Sequence, residues 1–240
     1  MTTLKVNIGE CVMLEVIVVE PKSSSQPEYA VIWLHGLGAD GNDFVPIAYE
    51  LQNLINKPMR FIFPHAPLRP VTLNNGYIMR AWYDITGLHL DAREDKEGLT
   101  ETYEKIHQLI QQQIQLGILP ENIFLAGFSQ GGASVLYAGL RYPEKLAGLI
   151  VLSGYLPLGK NLNTEKHSAN QHTPIFWAHG AKDNIVPLQW AEASDQQLKA
   201  CGFEKQNFYT YPMAHEVCDK EIKDLGLWMT ETMRYRLSDK

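Results

Sequence analysis

Ser129 stands in Gly127-Phe-Ser-Gln-Gly131, a G-x-S-x-G sequence with an apolar, strand-like run over 122–126 before it and helical spacing from Gln130 onward. A turn of this kind between strand and helix lifts a serine hydroxyl to the apex of a strained bend, from which it can attack an acyl carbonyl. Glycines must flank it, because a Cβ there would strike the neighbouring strand and helix; Gly132 extends the small patch. The bare pattern arises in a chain of this length about one time in ten, so the strand-turn-helix context carries the reading. The alternative, a glycine-rich turn opening a phosphate-binding helix, lacks an accompanying G-x-x-x-x-G-K-[ST] or G-x-G-x-x-G.

A serine hydroxyl is a weak nucleophile near neutral pH, so Ser129 needs a histidine base and a carboxylate to orient it, following in the order acid, then histidine. Four of the eight histidines lie downstream: His167, His172, His179 and His215. His215 follows an apolar-alternating run over 207–212 that reads as the last strand, and it precedes the last helix, which suits a base overhanging a sheet edge. His179 ends a strand and is the runner-up, with packing against the sheet as its plainer role. His167 and His172 fall in a polar stretch and read as solvated. Asp183, in a Gly-containing loop between a strand and a helix primed by Pro187, is the candidate acid; an Asx-turn or helix cap is the alternative. Asp195 and Asp219 sit in or at helical patterns and fit less well.

Attack on a carbonyl also needs donors for the developing oxyanion. One is the backbone N–H of Gln130, next after the serine. The other is expected from the early loop 34–41 (LHGLGADG), whose glycines let a backbone N–H, that of Leu37, turn toward the site.

These residues need a frame that brings distant loops to one edge. Nearly continuous apolar runs at 30–34, 60–63, 122–126, 149–152 and 174–178 read as strands buried on both faces. Between them lie helical spacings at 44–54, 99–116, 130–141 and 187–200, with a last one at 221–235. Residues 4–19 read as a hairpin or pair of edge strands. The alternation predicts a mostly parallel sheet flanked by helices, with chemistry in the loops after the strands. At 240 residues the chain is expected to form a single α/β domain over 1–240. Residues 159–172 read as a surface loop, not a linker.

With a net charge of −6 and no run of Lys or Arg, the chain lacks the electrostatic footprint of a nucleic-acid binder or of stable docking to an anionic membrane. Three cysteines without C-x-x-C spacing leave one unpaired under any scheme and read as free thiols of a reducing compartment. The start of the sequence shows no export signal, so the expected location is the cytoplasm.

Six segments together resemble a known family: 34–41 (LHGLGADG), 64–72 (PHAPLRPVT), 80–84 (RAWYD), 127–132 (GFSQGG), 179–183 (HGAKD) and 211–215 (YPMAH). In that order they are similar to the acyl-protein thioesterase, carboxylesterase and lysophospholipase group of small α/β-hydrolases. The resemblance implies the α/β-hydrolase fold, a Ser129, Asp183, His215 triad, and an oxyanion hole from the Leu37 and Gln130 backbones. It implies hydrolysis of carboxylic esters, acyl thioesters of proteins or lysophospholipids, with no metal or organic cofactor, and a homodimer, as for many members. The segment 67–90 is similar to the family's flexible loop beside the acyl groove, which makes Leu73, Met79, Trp82 and Leu88 candidate groove walls; Tyr155 and Val186 occupy positions that face the acyl chain in relatives. One departure is Glu216, where relatives often carry serine. A catalytically inactive scaffold that binds a ligand or protein is the competing class; a peptidase or lactone hydrolase is the competitor among enzymes.

Overall fold

Burial on both faces is what makes the central strands read as unbroken apolar runs. In the computed structural model, which describes residues 1–7, 13–23, 25–87 and 94–238, the elements in chain order are β1 (Thr2–Asn7), β2 (Met13–Val19), β3 (Tyr29–Leu34), α1 (Val45–Leu54), β4 (Met59–Pro64), β5 (Leu68–Val71), β6 (Tyr77–Arg80), α2 (Lys96–Gln115), β7 (Ile123–Phe128), α3 (Gln130–Gly139), β8 (Gly148–Leu152), α4 (Leu162–Glu165), β9 (Ile175–Gly180), α5 (Leu188–Ala200), β10 (Gln206–Tyr211) and α6 (Asp219–Ser238). Every residue of β3, β8 and β9 is buried.

Eight strands form one sheet in the order β1-β2-β4-β3-β7-β8-β9-β10. From β4 to β10 the pairs are parallel, while β1 and β2 form the antiparallel edge expected from the N-terminal pattern. Side chains alternate across it. Ile32 and Leu34 join Leu99, Ile106, Val135 and Trp177 on one face; Val31 and Trp33 join Phe63, Leu51, Leu225 and Trp228 on the other. The chain runs outward from β3 to β4, then returns to place β7 on the other side of β3. This reversal opens a crevice at the carboxyl ends of β3 and β7, the usual ligand position in open α/β sheets. Both glycine-rich loops, 35–41 and 127–132, leave the sheet there.

Three differences from the sequence reading have local causes. Helix α2 starts a turn earlier than the apolar spacing suggests, because Asp95 caps it by accepting the Gly98 N–H at 2.9 Å. The segment read as a loop contains the β5–β6 hairpin, closed by Gly76 N–H to Val71 O at 2.9 Å, with Asn75 and Gly76 at φ of 54° and 75°. The polar stretch 159–172 carries the short α4 and a buried Asn170, which accepts from Leu146 N–H and donates to Tyr142 O at 2.9 and 2.8 Å. Cys201 and Cys218 are free thiols, and Cys11 lies outside the described residues. Among the described residues no helix is long and apolar enough to cross a membrane.

Candidate active site

The turn after β7 takes its shape from contacts no side chain could fit. Ser129 holds φ 54° and ψ −118°, a conformation that costs a non-glycine residue about 1–3 kcal/mol and persists only where the surroundings enforce it. They do so through Ser129 N–H to Leu152 O at 2.8 Å and Ala133 N–H to Ser129 O at 3.0 Å. A Cβ on Gly127 would lie 2.3 Å from Gly131 C, and one on Gly131 would lie 2.2 Å from Leu34 O. Helix α3 therefore starts directly against the ends of β3 and β7, with the Ser129 side chain at the crevice.

Asp183 and His215 come from the loops after the neighbouring parallel strands β9 and β10. Those loops are joined by Ala181 N–H to Tyr211 O at 2.8 Å and Lys182 N–H to Met213 O at 3.0 Å. Asp183 is buried; its Oδ1 accepts the N–H groups of Ile185 and Val186 at 2.9 and 2.8 Å. Its Oδ2 stands 2.7 Å from His215 Nδ1, and His215 Nε2 stands 2.8 Å from Ser129 Oγ. An ionised acid accepts only, so Nδ1 carries the proton and Nε2 is left to accept from the serine hydroxyl. The Phe128 ring packs on the His215 ring at 4.8 Å between centroids and is backed by Phe44 at 5.7 Å. Glu216 turns to its own loop, where Oε1 accepts the Ala214 N–H at 3.3 Å. His167 and His172 are exposed, and His179 is fully buried.

The loop after β3 runs against the serine: a Cβ on Gly36 would be 3.6 Å from Ser129 Cβ. Gly38, at φ 77°, donates its N–H to Arg80 O at 2.9 Å. Leu37 lies between these two fixed points, and its N–H has no partner among the described residues. Gln130 opens α3, where the first N–H groups lack intrahelical acceptors.

Two histidines hold this loop in a way the sequence did not reveal. His35 Nε2 accepts the Ala66 N–H at 3.0 Å while Nδ1 donates to Gly36 O at 2.7 Å, and His65 Nδ1 accepts the Gly41 N–H at 3.1 Å. Both must be neutral to accept. Burial pushes His35 down to about 4, and burial together with the Arg80 charge lowers His65. The Gln130 side chain is a second hidden tie: its amide donates to Tyr83 O at 2.7 Å and accepts the Trp82 N–H at 2.9 Å.

A cavity of about 250 Å³ opens between the 83–87 and 94–99 segments and α5, with Leu99, Tyr155, Leu156 and Trp190 in its walls. Of the expected groove residues, Tyr155 lines it. Met79 lines a separate, more open cleft of about 680 Å³ beside Gly38, Asp40 and Arg80. Leu73 is half-buried, its N–H bonded to Ile85 O at 2.7 Å. Val186 is buried, with its backbone engaged by Asp183 and His179. Trp82 requires a correction: its ring is buried in the core and donates from Nε1 to His35 O at 2.8 Å, so it braces the loop after β3 instead of forming an exposed wall. Leu88 lies outside the described residues. Among the described residues no group of three His, Cys, Asp or Glu side chains is disposed to hold a metal ion.

Known proteins share this fold. The family model described as phospholipase/carboxylesterase matches residues 14–232. The chain is 35% identical over 207 residues to carboxylesterase SOBER1 of Arabidopsis thaliana, covering 85% of this chain and 90% of that one. It is 38% identical over 206 residues to acyl-protein thioesterase 1 of Emericella nidulans, covering 81% and 86%. Among solved structures, Arabidopsis thaliana SOBER1 superposes with a TM-score of 0.80 at 33% identity, over 85% of this chain and 99% of that one. Zea mays acyl-protein thioesterase 2 gives 0.79 at 28% identity, over 90% and 98%.

Proposed function

The chain belongs to the phospholipase/carboxylesterase family of ester-cleaving α/β-hydrolases, and from that premise we propose that Ser129, His215 and Asp183 cleave carboxylic esters or acyl thioesters through an acyl-enzyme. The observation that carries the reading is the chain of two hydrogen-bond distances, 2.8 Å from Ser129 Oγ to His215 Nε2 and 2.7 Å from His215 Nδ1 to Asp183 Oδ2. Both fall within the range of true hydrogen bonds.

As Ser129 Oγ attacks the acyl carbon, its proton passes to His215 Nε2, and the imidazolium that forms is held by Asp183. The carbonyl oxygen becomes an oxyanion beside the Leu37 and Gln130 N–H groups; losing one such donor typically costs about 10²–10³ in turnover. The tetrahedral species expels the alcohol or thiol, which takes the proton from His215. Water then attacks the Ser129 ester, giving a proton to His215, which returns it to Ser129 Oγ as the acid is released. The acyl chain occupies the cavity lined by Tyr155 and Trp190. The wall of this cavity is tied to the turn that carries Ser129 by the Gln130 side chain, which donates to Tyr83 O. Unpaired cysteines fit a cytoplasmic setting for this work.

A fluorophosphonate probe tests the reading: it should label the protein at one serine and fail to label Ser129→Ala. An unlabelled protein, or equal labelling of the variant, rejects it.

A further inference from the structure

Proton counting in the cavity points to a preference among acyl groups. The hydroxyls of Tyr83 and Tyr155 face each other at 2.6 Å, and both residues line the cavity. Burial pushes both phenols up, Tyr155 to about 12, so each keeps its proton. Two hydroxyls joined by one hydrogen bond hold a second O–H that the bond does not use. Among the described residues no other group accepts from either oxygen. The neighbouring polar groups hold bonds of their own: Glu94 Oε1 accepts the Leu158 N–H at 2.6 Å. Asp95 accepts from Asp84 and Gly98 at 2.7 and 2.9 Å, and Ser194 Oγ accepts from Leu156 N–H and donates to Trp190 O at 3.0 and 2.6 Å. A donor buried in a space walled by Leu99, Leu156 and Trp190 calls for an acceptor on whatever fills that space.

The charge around the cavity limits the kind of acceptor. Among the described lining residues, Asp84, Glu94 and Asp95 stand against the single cation of Lys160, which disfavours a carboxylate or phosphate on the buried end of the substrate. We propose that Tyr83 and Tyr155 form a donor subsite selecting acyl chains with a neutral oxygen acceptor, a keto, hydroxyl or ether group, several bonds from the scissile carbonyl. This rests on the reading of Ser129 as nucleophile and of the cavity as the acyl site. Sites built to satisfy a polar group on the substrate discriminate sharply against analogues that lack it.

The test compares kcat/KM for p-nitrophenyl hexanoate with that for the 4-oxo and 5-oxo hexanoates, in the wild type and in the Tyr83→Phe, Tyr155→Phe double variant. At least one oxo-to-alkyl ratio should be about tenfold higher in the wild type than in the double variant, the effect of one well-made hydrogen bond. Ratios that agree within twofold overturn the proposal, including the case in which a water answers the second proton equally well. A binding arm keeps this apart from the nucleophile reading: calorimetry of the Ser129→Ala protein with hexanamide and the two oxohexanamides. If Ser129→Ala still cleaves the esters, the nucleophile reading falls. Tighter binding of an oxo amide, lost with both tyrosine hydroxyls, then still upholds the donor pair, whereas equal binding of the amides removes it.

Discussion

His179 Nε2 lies 3.5 Å from Asp183 Oδ2 yet directs its hydrogen bond to Val186 O, 2.8 Å away. Val186 in turn gives its N–H to Asp183 Oδ1 at 2.8 Å. The histidine that ranks second as a base in the sequence thus lies fully buried behind the acid, where it fixes the loop that aims Asp183 at His215. Burial lowers its pKa, which keeps it neutral and donating. Replacing His179 by Ala should lower kcat by about 10–100-fold with little change in KM, the effect of a displaced acid. His179→Gln should recover part of the loss by donating to Val186 O again. His215→Ala should cost far more, about 10⁴-fold or beyond. Steady-state kinetics on one ester with all three variants checks the order; equal losses for His179→Ala and His215→Ala would contradict it.

Gly131→Ala tests the packing of the turn. The added Cβ would stand 2.2 Å from Leu34 O and 2.7 Å from His35 O, both backbone atoms of a buried strand end that cannot swing aside. The variant should be insoluble or, if folded, fail to react with a fluorophosphonate. Gly76→Ala is the control: no heavy atom lies within 4 Å of its Cβ position, and its φ of 75° gives a strain on the order of 1 kcal/mol without loss of labelling. Normal labelling of Gly131→Ala would show that the turn can relax.

The hydrogen-bonded chain of Ser129, His215 and Asp183 was legible because the three obey position rules: a serine between strand and helix, then an aspartate and a histidine after later strands. Strands buried on both faces were legible for the same reason, as apolar runs with no alternation. Ties made by side chains to distant backbone were not. Nothing in Gln130 announces that its amide will span 47 positions back to Tyr83, and nothing in His35 tells that it accepts from Ala66. Trp82 misled because an apolar residue in a loop reads the same whether it faces a groove or the core. The β5–β6 hairpin could have been found: Asn75-Gly76 between two short runs is a strong hairpin signal, although Pro70 in the first run weakens it.

The Gln130 tie yields its own stability prediction. Gln130→Ala would leave the Trp82 N–H and the Tyr83 carbonyl without partners in a buried site, at about 1–3 kcal/mol for each group. Gln130→Glu keeps an acceptor for Trp82 but sets a second oxygen against Tyr83 O, and should be the less stable of the two. Urea denaturation gives the ranking. A loss under about 0.5 kcal/mol in Gln130→Ala, the level of an ordinary surface change, would mean that the tie contributes nothing.

Two buried groups bend the pH–stability curve in opposite directions. His35 is neutral in the fold and pushed from 6.5 down to about 4, so the unfolded chain binds the proton first as pH falls. Its contribution, about 3 kcal/mol, is intact above pH 6.5 and lost between 6.5 and 4. His65 and His179 are lowered too and act in the same direction. Glu221 is fully buried; its Oε2 accepts the Cys218 N–H at 3.3 Å and its Oε1 has no partner among the described residues. Burial raises it from 4.5 to about 8, so as pH rises from 4.5 to 8 the unfolded chain gives up a proton that the fold retains, and stability falls by about 5 kcal/mol. Between 4.5 and 6.5 the slopes of His35 and Glu221 oppose each other and largely cancel. Above 6.5 that of Glu221 remains. Stability should therefore peak near pH 6.5 and decline toward pH 8, and Glu221→Gln, which cannot ionise, should abolish the decline on the alkaline side and steepen the loss on the acid side, where nothing then offsets His35. Urea midpoints at pH 5, 6.5 and 8 for both proteins check this. A wild type as stable at pH 8 as at 6.5 would mean that Glu221 ionises in the folded protein without cost.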